Sequence, residues 1–95
     1  MRVRWTTLAR EQFVSAFEYI AEENRRAAAR TAEQVWESTQ MLARHPMAGT
    51  EGRVAGTREL VISGTPFLVA HRIEKKEVRV LAVLHAAQEW PEEFE

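Results

Sequence analysis

The sequence predicts an α+β fold of order βααβββ, a helical hairpin packed on one face of a small, mainly antiparallel sheet. Three observations predict it. Apolar residues recur at helical spacing through two consecutive stretches of the first half. His45-Pro46 and a glycine-bearing stretch then end the helical pattern. Three β-branched, apolar runs separated by short turn segments fill the second half. With 95 residues the chain has room for one domain and one core, residues 1–95, ending in a short acidic tail over about 86–95.

Val3-Arg4-Trp5 reads as a short first strand, and Thr6 or Thr7 as the N-cap of the first helix. Ala9, Phe13, Ala16, Phe17 and Ile20 predict that helix from Leu8 to Glu23. Asn24 ends it or caps the next one. Ala28, Ala32, Val35, Thr39 and Leu42 predict a second helix from Arg26 to Arg44, with Trp36 on its flank. So short a link makes the two helices an antiparallel hairpin. Gly49, Gly52 and Gly56 mark residues 46–56 as an exposed loop. The strands are then Thr57–Ile62, Phe67–Ile73 and Val78–Leu84, joined by Ser63-Gly64-Thr65-Pro66 and Glu74-Lys75-Lys76-Glu77. Turns this short imply an antiparallel meander. From Val80 onward the last strand is apolar at every position, as expected of a central strand. Trp90-Pro91 lies in the tail, expected as a short helix or an arm.

Composition narrows the function. Apolar residues make up 45% and charged residues 28% of the chain, ordinary values for a globular domain. There is no cysteine, so disulfides and thiolate metal sites are excluded, and three scattered histidines give no metal-ligand pattern. No cofactor is expected. No apolar run reaches the length of a membrane span and Met1 leads into no apolar leader segment, so the expected location is the cytoplasm, with no membrane partner. Net charge is −1: a mildly basic body ends in a tail with four Glu among residues 89–95. That balance does not suit a protein held to nucleic acid by bulk charge. Eleven of the 13 basic residues are Arg, which favours planar, bidentate contacts.

A family resemblance rests on several segments in order. They are Trp5 before the first helix; Tyr19-Ile20-Ala21 with Asn24 and Ala27-Ala28; His45-Pro46; Gly52-Arg53-Val54 and Gly56-Thr57-Arg58-Glu59-Leu60; His71-Arg72-Ile73; and Val83-Leu84-His85 with Trp90-Pro91. Together they make the chain similar to the RelE/ParE superfamily of bacterial type II toxin–antitoxin toxins over nearly its whole length. The family's usual fold agrees with the order read from periodicity. The resemblance implies one of two activities. RelE-like members cleave messenger RNA on the ribosome and need cations at a crowded phosphate with a group to move a proton. ParE-like members inhibit DNA gyrase by binding it. Three departures thin the family's basic rim: Thr50 after Gly49, His71 before Arg72, and Ala86-Ala87-Gln88-Glu89 before Trp90. The near-neutral charge and the lack of an evident acid–base pair favour the ParE-like activity, with the RelE-like nuclease as the alternative. A degenerate member that only binds antitoxin is a third reading.

Arg58, at the mouth of a strand, needs a partner, solvent or a ligand. Under the nuclease reading Arg58, Arg72 and His85 form the catalytic set, Arg58 as phosphate clamp and His85 as acid or base. Without it, Arg58 is an ion-pair residue, facing Glu59, Glu77 or the tail, and His85 a hydrogen-bonded, half-buried side chain. His71 alternates to the face opposite Arg72 and is left out. The resemblance also implies a cognate antitoxin in a hetero-oligomer, a disordered segment folding across the helical hairpin. Trp36, Met41, Arg58 and Trp90 are the candidate partner-binding residues.

Overall fold

The computed structural model describes residues 1–94, in the order β1 (Arg2–Trp5), α1 (Thr7–Ala21), α2 (Arg25–Met41), β2 (Thr50–Glu51), β3 (Arg58–Val61), β4 (Phe67–Glu74) and β5 (Glu77–His85). The last residue of the expected tail, Glu95, lies outside the described residues. Five strands form one sheet in the order β1-β5-β4-β3-β2. β3, β4 and β5 are the expected antiparallel meander. β1 runs parallel to β5, with Arg4 opposite Arg79 and Trp5 opposite Val80. A parallel pair needs a long crossover, and the helical hairpin is part of the one used here.

Thr6, not Thr7, caps α1: its Oγ1 accepts from the Ala9 N–H at 3.1 Å, and the same hydroxyl donates to the Leu81 carbonyl at 3.1 Å. Asn24 caps α2 by accepting from the Ala27 N–H. The helices stop at Ala21 and Met41, short of Glu23 and Arg44, because the chain passes through turns before Asn24 and before His45-Pro46. The 46–56 segment is less open than expected. It contains β2, paired to β3, and it buries Val54 and, just beyond it, Thr57, whose hydroxyl donates to the Val54 carbonyl at 2.6 Å. Two residues are too few to show a strand period.

β5 is the spine of the sheet, and it carries a bulge. Ala70 pairs with Ala82 and His71 with Val80, so Leu81 is an extra residue. The bulge reverses the alternation. Val78 and Val80 face the helices, Leu81 and Ala82 both face away, and Val83 returns to the helix side. On the helix side Ala9, Val35 and Leu42 pack against β4 and β5 residues. Beyond the end of β1, α1 takes over the open edge of β5. There Thr6 reaches the Leu81 carbonyl, and Gln12 Oε1 accepts from the Val83 N–H at 2.8 Å.

The tail is neither a helix nor a free arm. Trp90 and Phe94 pack on Ala70, Leu81, Ala82 and Leu84, covering part of the second sheet face. The Arg53 guanidinium lies 3.8 Å from the centre of the Trp90 ring, a cation–π contact. Glu59 holds Arg53 in place through two side-chain bonds, at 3.0 and 3.1 Å. Burying Leu81 and Leu84 this way contributes about 2 kcal/mol each.

Because Thr6 serves both a helix end and the sheet edge, Thr6→Ala should lower unfolding stability by about 1–2 kcal/mol. Thr7→Ala should stay within about 0.5 kcal/mol of the parent. Urea titrations of the two variants check this, and equal losses would remove Thr6 from its double role.

Candidate functional site

Arg58 opens β3 opposite His71. Its guanidinium pairs with no carboxylate among the described residues. Nε donates to the Met47 carbonyl at 2.9 Å and a terminal nitrogen to the Gly49 carbonyl at 3.0 Å. His71 donates from Nε2 to the carbonyl between them, that of Ala48, at 3.0 Å. One cation and one imidazole thus capture three successive carbonyls. The loop can come so close because of Gly49, which has φ +90 and would place a Cβ 2.1 Å from the Glu59 carbonyl oxygen. His71 is fully buried, and its Nδ1 has no hydrogen-bond partner among the described residues. Burial pushes its pKa down. The Ala48 carbonyl opposes that shift, and the nearby Arg58 charge adds to it. The ring is therefore a neutral donor.

Arg72 and Arg58 line one shallow concavity, with Met47, Glu51 and Ile73 around it. Arg72 is on the sheet face away from the helices and is ion-paired with Glu74, whose carboxyl is held below the ordinary carboxylate range first by that hydrogen bond. Glu59 likewise sits low. Burial works to raise it, but the side-chain bond, backbone N–H and charge of Arg53 together outweigh that.

His85 does not join the two arginines. It pairs with Phe67, five residues before Arg72 on β4, which puts it about 17 Å away along the strand. Its ring stands edge-on to Phe67, and its Nδ1 accepts from the Ala87 N–H at 3.1 Å. That bond steadies the turn into the tail. His85 borders a separate groove with Glu11, Ser15, Tyr19 and Gln88.

A second surface lies at the free edge of β1. Phe13 meets Trp5 edge-on at 5.3 Å and Trp36 stacks on Trp5 at 6.2 Å, a three-ring ladder. With Val3 and Val14 these rings line a groove, and Arg2, Arg4 and Arg10 border it. Trp36 remains 52% exposed. Met41, also exposed, is five residues further along α2, about 140° around the helix, and does not line the groove. Trp90 is turned onto the chain's own sheet.

The family described as "ParE toxin of type II toxin-antitoxin system, parDE" matches residues 3–90. The chain belongs to the ParE toxin family. Y4kP of Sinorhizobium fredii (strain NBRC 101917 / NGR234), which is named as a toxin, is 36% identical over 91 residues, 96% of this chain and 94% of that protein. A solved chain titled "Chromosomal ParDE TA system from P. aeruginosa" superposes with a TM-score of 0.82, covering 90% of this chain and 95% of that one. At 22% identity it shows that this ParE-family toxin has the same fold.

Sequence reasoning does not find the His71 and Gly49 roles in the loop clamp, nor the Arg53–Trp90 contact. The alternation that turns His71 away from Arg72 is also what points it at the loop. The clamp makes stability pH-dependent. His71 titrates lower when folded than when unfolded, so the unfolded chain takes up the extra proton. Its contribution is complete above about pH 6.5 and is lost as pH falls from there toward the depressed native value. Urea midpoints measured from neutral pH down to the carboxylate range should fall in the parent and change less in His71→Gln. An equal slope in both would exclude His71 as the source.

Proposed function

We propose that this ParE-family toxin arrests growth in the cytoplasm by binding DNA gyrase, and that a cognate antitoxin neutralises it in a hetero-oligomer. The observation that carries the gyrase reading is the separation of the groups that a nuclease would need. Along the strands Arg72 sits about 17 Å from His85 and Arg58 about 14 Å. The Arg58 guanidinium is already engaged by two loop carbonyls, and the nearest histidine, His71, is buried and neutral. Inhibition by binding needs no such assembly. The RelE-like reading, ribosome-dependent cleavage of messenger RNA, draws its support from the concavity that Arg58 and Arg72 share.

The antitoxin reading is supported by the aromatic groove at the side of the helical hairpin, where Val14 and Trp36 stay exposed. A segment that folds on binding can cover such a groove, and a central aromatic with a basic rim is a suitable anchor site.

The purified toxin should block supercoiling in a gyrase assay and leave a reporter message intact in a translating extract. A cleaved message with normal supercoiling would replace this reading with the nuclease one, and Arg58→Ala should then abolish cleavage. Silence of the folded protein in both assays would favour a member that only binds antitoxin. Separately, Trp36→Ala should weaken capture by the cognate antitoxin about thirtyfold, the effect of a central aromatic hot spot, while Met41→Ala should change it little. Titration calorimetry reads both, and equal small effects would move the antitoxin off the groove.

A further inference from the structure

The sheet face turned away from the helices carries three arginines side by side. Arg4, Arg79 and Arg72 occupy directly paired positions on β1, β5 and β4. Like charges directly opposite one another in neighbouring strands repel, and the strands are only about 4.8 Å apart. Two carboxylates relieve the row incompletely. Glu74 bonds Arg72 and comes no closer than 3.7 Å to Arg79, and Glu77 lies 3.7 Å from Arg4. Arg79 Nε is buried without a hydrogen-bond partner among the described residues. The hairpin beside the row turns on Lys75 and Lys76, with φ 48 and 63. Those are positions of the kind that Asn and Gly occupy with least strain. Here they hold two further cations.

We propose that this arginine row is a docking surface for an acidic, aromatic-bearing peptide segment of a partner protein, meeting the aromatic groove only at Arg4 and independent of the gyrase reading. The chain's own tail shows the chemistry that the face accepts. Trp90 and Phe94 pack on the apolar strip that continues from the row, and Glu93 borders the same concavity as Arg79 and Leu81. An extended peptide places same-side residues about 7 Å apart, so its carboxylates can meet the arginines and its apolar side chains the concavity that Leu8, Pro91 and Phe94 line beside Arg79. A phosphate backbone suits the face less well. Glu74 and Glu77 are paired in the cross-strand row beyond the arginines, so a continuous polyanion laid along the strands meets like charge there.

The probe is a short dye-labelled peptide alternating Glu and Ala around one Trp, titrated into the full chain at low salt and followed by fluorescence anisotropy. Saturable binding that weakens about tenfold or more in Arg4→Gln/Arg79→Gln, at unchanged circular dichroism, is the expected result, because each substitution removes a cation from the contact. Amide shifts of the labelled parent chain keep the test independent of the variant's folding, and they should move around Arg4, Arg72 and Arg79. No binding, equal binding by parent and folded variant, or shifts confined to the Trp36 groove would overturn the proposal. So would a labelled single-stranded oligonucleotide of matched charge that binds more tightly than the peptide through the same arginines.

Discussion

The bulge at Leu81 is the constraint on which the rest of the structure depends. A strand buried on both faces needs apolar residues at successive positions, and its backbone must still be satisfied along both edges. The extra residue lets β5 send Val78, Val80 and Val83 to the helices while Leu81, Ala82 and Leu84 line the other face. It also leaves a stretch of β5 that β1 is too short to cover. Thr6 and Gln12 bond that stretch from α1, so the helix cap, the sheet edge and the bulge share one set of hydrogen bonds. The position of α1, and with it the aromatic groove, is set by how β5 is bonded there.

The loop clamp is a second case of one residue meeting two demands. Arg58 holds Met47 and Gly49 by their carbonyls and also borders the concavity that it shares with Arg72. Its charge helps keep His71 neutral, and a neutral His71 has the one proton that the Ala48 carbonyl needs. Charge and hydrogen bonding are therefore consistent here. An arginine at a strand mouth reads as a ligand site or an ion-pair residue in the sequence, yet main-chain oxygen is what it binds in the folded chain.

Local forces are legible in a sequence, and long-range ones are not. Helical spacing, Asn24, His45-Pro46 and the short turns are local signals, and they are enough for the βααβββ order and the meander. The edge joined by β1 is not legible, because Val3-Arg4-Trp5 fits either edge until the crossover is built. The reversal within β5 is hidden for a related reason: a run that is apolar at every position has no period to break. At the site, residue type suggests Arg58, Arg72 and His85 together, but register is a long-range property, and it sets His85 about 14–17 Å along the strand from the arginines. Trp36 is legible because α2 already has its own buried stripe through Val35 and Thr39, which leaves an aromatic residue on the flank with nothing of its own helix to cover it.

β1 links the two surfaces. It is an edge strand of four residues, held by its parallel pairing with β5, while the Met1 ammonium just before it donates to the Ala43 carbonyl at 2.7 Å. Its side chains alternate, so Val3 and Trp5 pack toward the helix-side core and the groove while Arg4 stands in the arginine row. A shift of one residue in its register would exchange these sets and remove both surfaces at once. A partner that fixed β1 from the groove side would therefore also hold Arg4 in line with Arg79 and Arg72. On the proposed reading, the two partners meet on opposite faces of one short strand, and any coupling between them has to pass through its pairing with β5.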